Sequence, residues 1–283
     1  MKRMRIMGLC LVAIFAMGAL TAVSASAAEP EWAECAKAPK VGKTTPTGEF
    51  SDKNCSLGVG GGKYLLKSGI GKGKKFKGKG GVSILHNKGP FGDNKVECQM
   101  SSDEGNIEAP NIEKEIKVTF KKCTGLGHPC TSAGAKSGEI KAGPYKGELG
   151  YIKNNEEGKI VGVDLNNETT PGGVMAEFSC VVVNVQVVGS AIGVQAGDIN
   201  KVSKESEAIF AVGPYFGELE SEFGKFTPVV NPPKFEGGPL DYLATNSCGP
   251  FVEELLGKEC SGFAPSGQEG INKNKGENLE VKA

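Results

Sequence analysis

Arginine is almost missing from this chain of 283 residues: Arg3 and Arg5 are the only two, and both fall within the first 27 positions. Beyond them 30 lysines stand against 33 acidic residues, a net charge of −3. Without the planar guanidinium fork the chain lacks the usual reader of phosphates and base edges, so specific nucleic-acid recognition is not expected. Histidine is nearly as scarce. His86 and His128 are the only two, which leaves little from which to build a triad base or a zinc site. No serine stands in G-x-S-x-G, so the nucleophile elbow of many hydrolases is absent. The GGGK at Gly60–Lys63 is not a phosphate loop, because Leu57 replaces the required first glycine and Tyr64 replaces the magnesium-binding Ser or Thr. No cofactor is expected. Catalytic residues are not identifiable from such an inventory.

What is present begins with Met1–Ala27: a basic start (Lys2, Arg3, Arg5), an apolar run from Ile6 to about Val23, and Ala25-Ser26-Ala27 as a small-residue cleavage site. This is the pattern of a secretory signal peptide. The mature chain, 28–283, is then expected to be secreted and extracellular, with no transmembrane anchor after processing. Cys10 leaves with the signal and eight cysteines remain, an even count suited to a disulfide framework in an oxidising compartment. Spacing suggests local staples Cys35–Cys55, Cys123–Cys130 and Cys248–Cys260, and exclusion then joins Cys98 to Cys180. A second scheme, Cys98–Cys123 with Cys130–Cys180, stays open beside it. A metal at Cys123, His128 and Cys130 is disfavoured, since thiols in that compartment form bridges.

Phe178–Gln195 (FSCVVVNVQVVGSAIGVQ) holds six valines among the eight residues Val181–Val188 and reads as one long core strand. Its odd positions Val181, Val183, Val185 and Val187 form one apolar face, and Phe178, Cys180 and Val182 begin another. Around it, Gly81–His86, Lys95–Met100 and Lys114–Lys122 alternate apolar and polar residues as half-buried strands do. Glu29–Leu57 is turn-rich and reads as a stapled flap, with Trp32 a packing residue rather than a ligand platform. Gly58–Gly81 is rich in lysine and glycine. Lys72, Lys74, Lys75, Lys77 and Lys79 could face an anionic polymer or membrane surface; the plainer reading is an edge strand guarded by lysines with Phe76 turned inward.

GPYKGEL at Gly143–Leu149 recurs as GPYFGEL at Gly213–Leu219. A shared turn explains the echo; the chemical reading takes Glu148 and Glu218 as paired carboxylates for glycoside cleavage, with Tyr145 and Tyr215 lining a sugar cleft. Asp164, Asn166 and Glu168 begin like a calcium loop, but Thr169 replaces its glycine, which leaves a polar hairpin tip. One short helix is expected from Pro250 to Gly257. Residues 261–278 read as a flexible polar segment before a last strand at Leu279–Lys282.

Trp32 and Cys35, the T-G-x-F-x-D-x-x-C pattern at Thr47–Cys55, GELGYI at Gly147–Ile152, AEFSC at Ala176–Cys180, GSAIG at Gly189–Gly193 and KFEGGP at Lys234–Pro239 resemble a family of uncharacterised secreted bacterial β-rich, disulfide-containing proteins. The resemblance implies secretion and a shared architecture, and no activity. The expected fold is one all-β domain, an antiparallel β-sandwich or barrel with one short C-terminal helix, stapled by disulfides. The expected role is a non-enzymatic binding or structural module for an extracellular or cell-envelope ligand such as a glycan, with a glycan-active hydrolase as the alternative.

Overall fold

The computed structural model describes residues 29–41, 45–53, 55–68, 73–89, 92–181, 183–196, 203–212, 219–221, 224–226, 234–239, 241–248 and 264–282. The expected signal peptide, the Pro250–Gly257 helix, Lys72, Glu218 and Cys260 lie outside them. Nineteen strands are described. In chain order they are β1 (Glu31–Lys37), β2 (Lys40–Val41), β3 (Thr45–Pro46), β4 (Gly48–Phe50), β5 (Gly58–Gly62), β6 (Tyr64–Ser68), β7 (Lys74–Gly89), β8 (Gly92–Ala109), β9 (Ile112–Gly125) and β10 (His128–Thr131). There follow β11 (Glu139–Asn155), β12 (Gly158–Asn167), β13 (Val174–Cys180), β14 (Val183–Ala196), β15 (Ser203–Val212), β16 (Leu219–Ser221), β17 (Gly224–Phe226), β18 (Leu243–Cys248) and β19 (Ala264–Lys282).

Of the two expected architectures the chain adopts the barrel. The antiparallel pairings β7–β8, β8–β9, β9–β11, β11–β12, β12–β14, β14–β15, β15–β19 and β19–β7 return to their starting strand. Three of these wall positions are shared by two strands in line. β10 extends β11 between β9 and β13, β13 extends β12 along β14, and β18 extends β15 between β14 and β19. Closure leaves these wall strands no free edge. β7 is therefore not the edge strand expected from its lysines; it is paired on both sides, to β8 and to β19.

The element least visible in the sequence is β19. In place of a flexible polar segment over 261–278, Ala264–Lys282 is one strand of 19 residues, laddered to β7, β15 and β18, and to β1 at its end. Its residues are polar and glycine-rich, so periodicity gives no strand signal. Two long neighbours with unpaired backbone groups supply the reason for order, because those groups need partners once the barrel closes. β1 takes over from β7 along the last residues of β19 and carries β6, β4 and β5 beside it, so the N-terminal flap is a continuation of the wall. Trp32 is buried within the main core, as packing rather than as a ligand platform.

The valine run is not one strand. The chain reverses at Val181, giving β13 and β14 as a hairpin with Phe178 opposite Val185 and Cys180 opposite Val183. The two apolar faces that a single strand would point in opposite directions thus fall on the same side of a hairpin, where Phe178, Cys180, Val185 and Val187 all join the core. No Gly, Asn or Asp marks the turn. Val181 itself takes φ 59°, a left-handed conformation uncommon for a β-branched residue, and is 60% exposed.

Cys35–Cys55 forms as expected, but Cys98 bonds Cys123 and Cys130 bonds Cys180, which is the second scheme. Both pairs are direct register partners on neighbouring strands, with Cα atoms 3.9 and 4.2 Å apart. The bridges lie within the sheet rather than across two sheets, and the sandwich reading of this region falls with the Cys98–Cys180 assignment. Sequence spacing favoured closing the short loop around Gly127; instead that loop is the hairpin from β9 to β10, and its cysteines point to different neighbours. In the loop-entropy model each bridge contributes about 3–4 kcal/mol.

GPYKGEL is not a turn between two strands either. It lies within β11, where the register shifts between Ala142 and Tyr145, and a Cβ on Gly143 would come within 2.4 Å of the Ile116 carbonyl oxygen. Glycine is required there by a close backbone approach at a bulge.

Removal of residues 264–283 should abolish the cooperative thermal transition and the near-UV circular dichroism of the full chain; a truncated chain melting within a few degrees of the intact one would show that β19 does not close the wall. Val181→Gly should stabilise by about 1 kcal/mol, since it relieves the positive φ at little cost in burial, and urea denaturation reads the change directly.

Candidate site in the barrel interior

Inward positions of the wall line a cavity of about 120 Å³. Its lining is mostly apolar: Phe76 from β7, Ile116, Val118 and Phe120 from β9, Val163 from β12 and Phe210 from β15 are among its walls. The alternation expected over Lys114–Lys122 is borne out, with Ile116, Val118 and Phe120 inward and Lys117 and Lys121 in water. Small residues keep the centre open. Ala142, Ala176, Ala191 and Ala208 all line it, and Gly105 and Gly193 leave room for the rings of Phe76 and Phe210, each facing its glycine across the ladder.

Polar groups enter this lining from β8 and its neighbours: Ser83, Ser101, Asp103 and Glu113. Glu113 is 4% exposed. A Cβ on Gly147, its register partner in β11, would lie 2.8 Å from Glu113 Oε2, so glycine at 147 gives the carboxyl its room. Burial, followed by the negative charge of Asp103, pushes the Glu113 carboxyl up to about 8. Burial also pushes the Tyr145 phenol up, and its Oη donates to the Met175 carbonyl at 2.8 Å. Tyr145 is thereby a wall residue, fixed inward, rather than the lining of an external sugar cleft.

A second set of buried acids lies on the outside of the wall. Asp241 Oδ2 accepts from the Ile192 amide at 2.6 Å, Ser190 Oγ donates to Oδ1 of the same residue, and Phe235 packs against Ile152, Ile192 and Val194. These contacts fasten residues 234–239, 241 and 242 over β11, β12 and β14. Asp164, directly beneath, is pushed up to about 7 by burial first, then by the charges of Asp241 and Glu148. Asn166 donates to Asp164 at 2.6 Å and accepts from the Gly172 amide, so the Asp164–Glu168 stretch organises the bend between β12 and β13. Among the described residues no group of three or more His, Cys, Asp or Glu side chains is arranged to hold a metal ion.

The other sequence-derived candidates are not brought together. Glu148 is exposed on the outer face of β11 and pairs with Lys146 at 2.8 Å, while its proposed partner Glu218 lies outside the described residues. Lys75, Lys77 and Lys79 are exposed along β7 with Lys77 3.4 Å from Glu104. Lys74 faces the other way, into an ion pair with Glu34 of β1. It therefore leaves the lysine patch. Of the Cys248–Cys260 staple, only the backbone of Cys248 is described, at the end of β18.

The cavity was not legible from the sequence, because inward alanines and glycines are indistinguishable from outward ones until strand register is known. Glu113 in particular precedes the alternating run, and the left-handed Glu115 (φ 53°) resets the phase of β9 between Glu113 and Ile116. Comparison of the chain with protein-family models, curated proteins and solved structures finds no match.

The raised acids carry a pH signature. The folded chain binds their protons more tightly than the unfolded chain does, so stability falls as pH rises from about 4.5 to about 8 for Glu113. Glu113→Gln should flatten this part of the profile by roughly 2–4 kcal/mol, as measured by urea denaturation at pH 5 and pH 8, while the Asp164 contribution persists.

Proposed function

We propose that this chain is a secreted, non-enzymatic binding protein that holds a small apolar ligand inside its barrel. The single observation that supports this reading is the lined cavity of about 120 Å³ within a closed wall. A barrel of eight wall positions is of the size that either fills its interior with side chains or keeps space for one small ligand, and here small residues keep space. The volume is comparable with apolar protein cavities of about 150 Å³ that stay dry and take up benzene. Three disulfides indicate an oxidising compartment, which fits export. No helix among the described residues is long and apolar enough to cross a membrane. The carboxylate-pair hydrolase has no comparable support, since Glu148 stands in water beside Lys146.

A ligand at free concentration c that binds only the folded state stabilises it by RT ln(1 + c/Kd), so the melting temperature keeps rising with the logarithm of ligand concentration above Kd. Toluene should therefore raise the melting temperature of the oxidised chain in step with the logarithm of its concentration, and xenon under pressure should appear in crystals between Phe76, Val118 and Val163. Ala142→Leu, which adds three carbon atoms to the cavity wall, should weaken both at least tenfold. An interior that takes up neither probe would overturn the reading.

A further inference from the structure

The cavity's chemistry narrows the class of ligand, and the argument rests on the binding reading just given. Two carboxyl groups, Asp103 and Glu113, stand in its wall, yet no lysine, arginine or histidine appears among the described residues that line it. Among the described residues of the lining the polar side-chain atoms are hydroxyls and carboxyls, a set that repels an anionic head group and gives a positive one its counter-charge. Of the pair, Glu113 is the more telling. It is 96% buried, and none of the described residues hydrogen-bonds to its carboxyl. A buried carboxyl without such a bond is costly to the fold, and an ion pair with a bound ligand would offset that cost.

We infer that the ligand is a small aromatic or aliphatic amine, its apolar body among Phe76, Val118, Phe120 and Phe210 and its nitrogen at the Asp103–Glu113 end of the cavity. Proton balance is met by either route of entry. A free-base amine takes the proton of Glu113, or an ammonium enters and the proton of Glu113 passes to solvent; both end in the same ammonium–carboxylate pair. The titratable groups that line the cavity beside Glu113 are Asp103 on β8 and Tyr145 on β11, and neither is basic; Lys74 of β7, in the same ladder row through Ile107, is ion-paired with Glu34. Gly147 keeps the approach to Glu113 Oε2 clear.

The test compares three probes of nearly equal size, toluene, benzylamine and benzoate, by calorimetry on the oxidised full-length mature chain at pH 7. Benzylamine should bind at least tenfold more tightly than toluene, and benzoate should show no binding. Glu113→Gln should lower benzylamine affinity about tenfold and leave toluene unchanged, a split that general damage to the fold would not produce. Should that variant not fold, Gly147→Ala, which crowds Glu113 Oε2, should weaken benzylamine selectively. Toluene binding as tightly as benzylamine, or benzoate binding more tightly than either, overturns the amine assignment and leaves the binding reading standing. No binding by any of the three overturns both.

Discussion

Closure of the wall by β19 is the constraint on which the rest of the structure depends. Along its 19 residues this strand satisfies the backbone of β7 on one side and of β15 on the other, then hands its end to β1. Open that seam and two long edges are left with unpaired amides and carbonyls, a template for association with other chains. The interior would be open as well. The cavity exists as a mostly apolar interior space only because the hydrogen-bond ladder returns to its start, so a polar strand with no hydrophobic pattern determines whether the apolar residues elsewhere share one interior.

Once the ring is closed, local irregularities decide which side chains look inward. The bulge at Gly143, the left-handed Glu115 and the left-handed Lys122 each reset the alternation of a strand. Through those resets Tyr145 and Glu113 face the interior while Glu148 and Lys146 face water. The cross-strand bridges Cys98–Cys123 and Cys130–Cys180 fix register on both sides of β9 and β10, and the Sγ atoms of Cys130 and Cys180 sit over Gly125, where a Cβ would come within 3.0 and 3.2 Å of them. Register, bulge and bridge thus place the polar groups of the cavity.

The interior and exterior acids share one physical cause and serve different ends. Asp241 is buried and Asp164 half-buried because residues 234–239, 241 and 242 lie over the wall, and Ser190 and the Ile192 amide hold Asp241 in place. Glu113 is buried because its strand turns it into the cavity, where no described side chain takes up its hydrogen-bonding capacity. The first pair belongs to the scaffold; the second position lines the cavity.

The sequence by itself determined the all-β class, the oxidised cysteines, the inward face of Ile116, Val118 and Phe120, the outward lysines of β7, and Trp32 as a core residue, because each follows from residue type or from a two-residue period within one strand. Tertiary structure alone decided the disulfide partners, the hairpin at Val181, the ordered β19 and the position of Glu113. Those depend on which strands become neighbours and in what register. A run of valines fits a straight strand or a hairpin equally well until Cys180 has a partner across the ladder, and a polar segment becomes a strand only when two unsatisfied edges meet on either side of it.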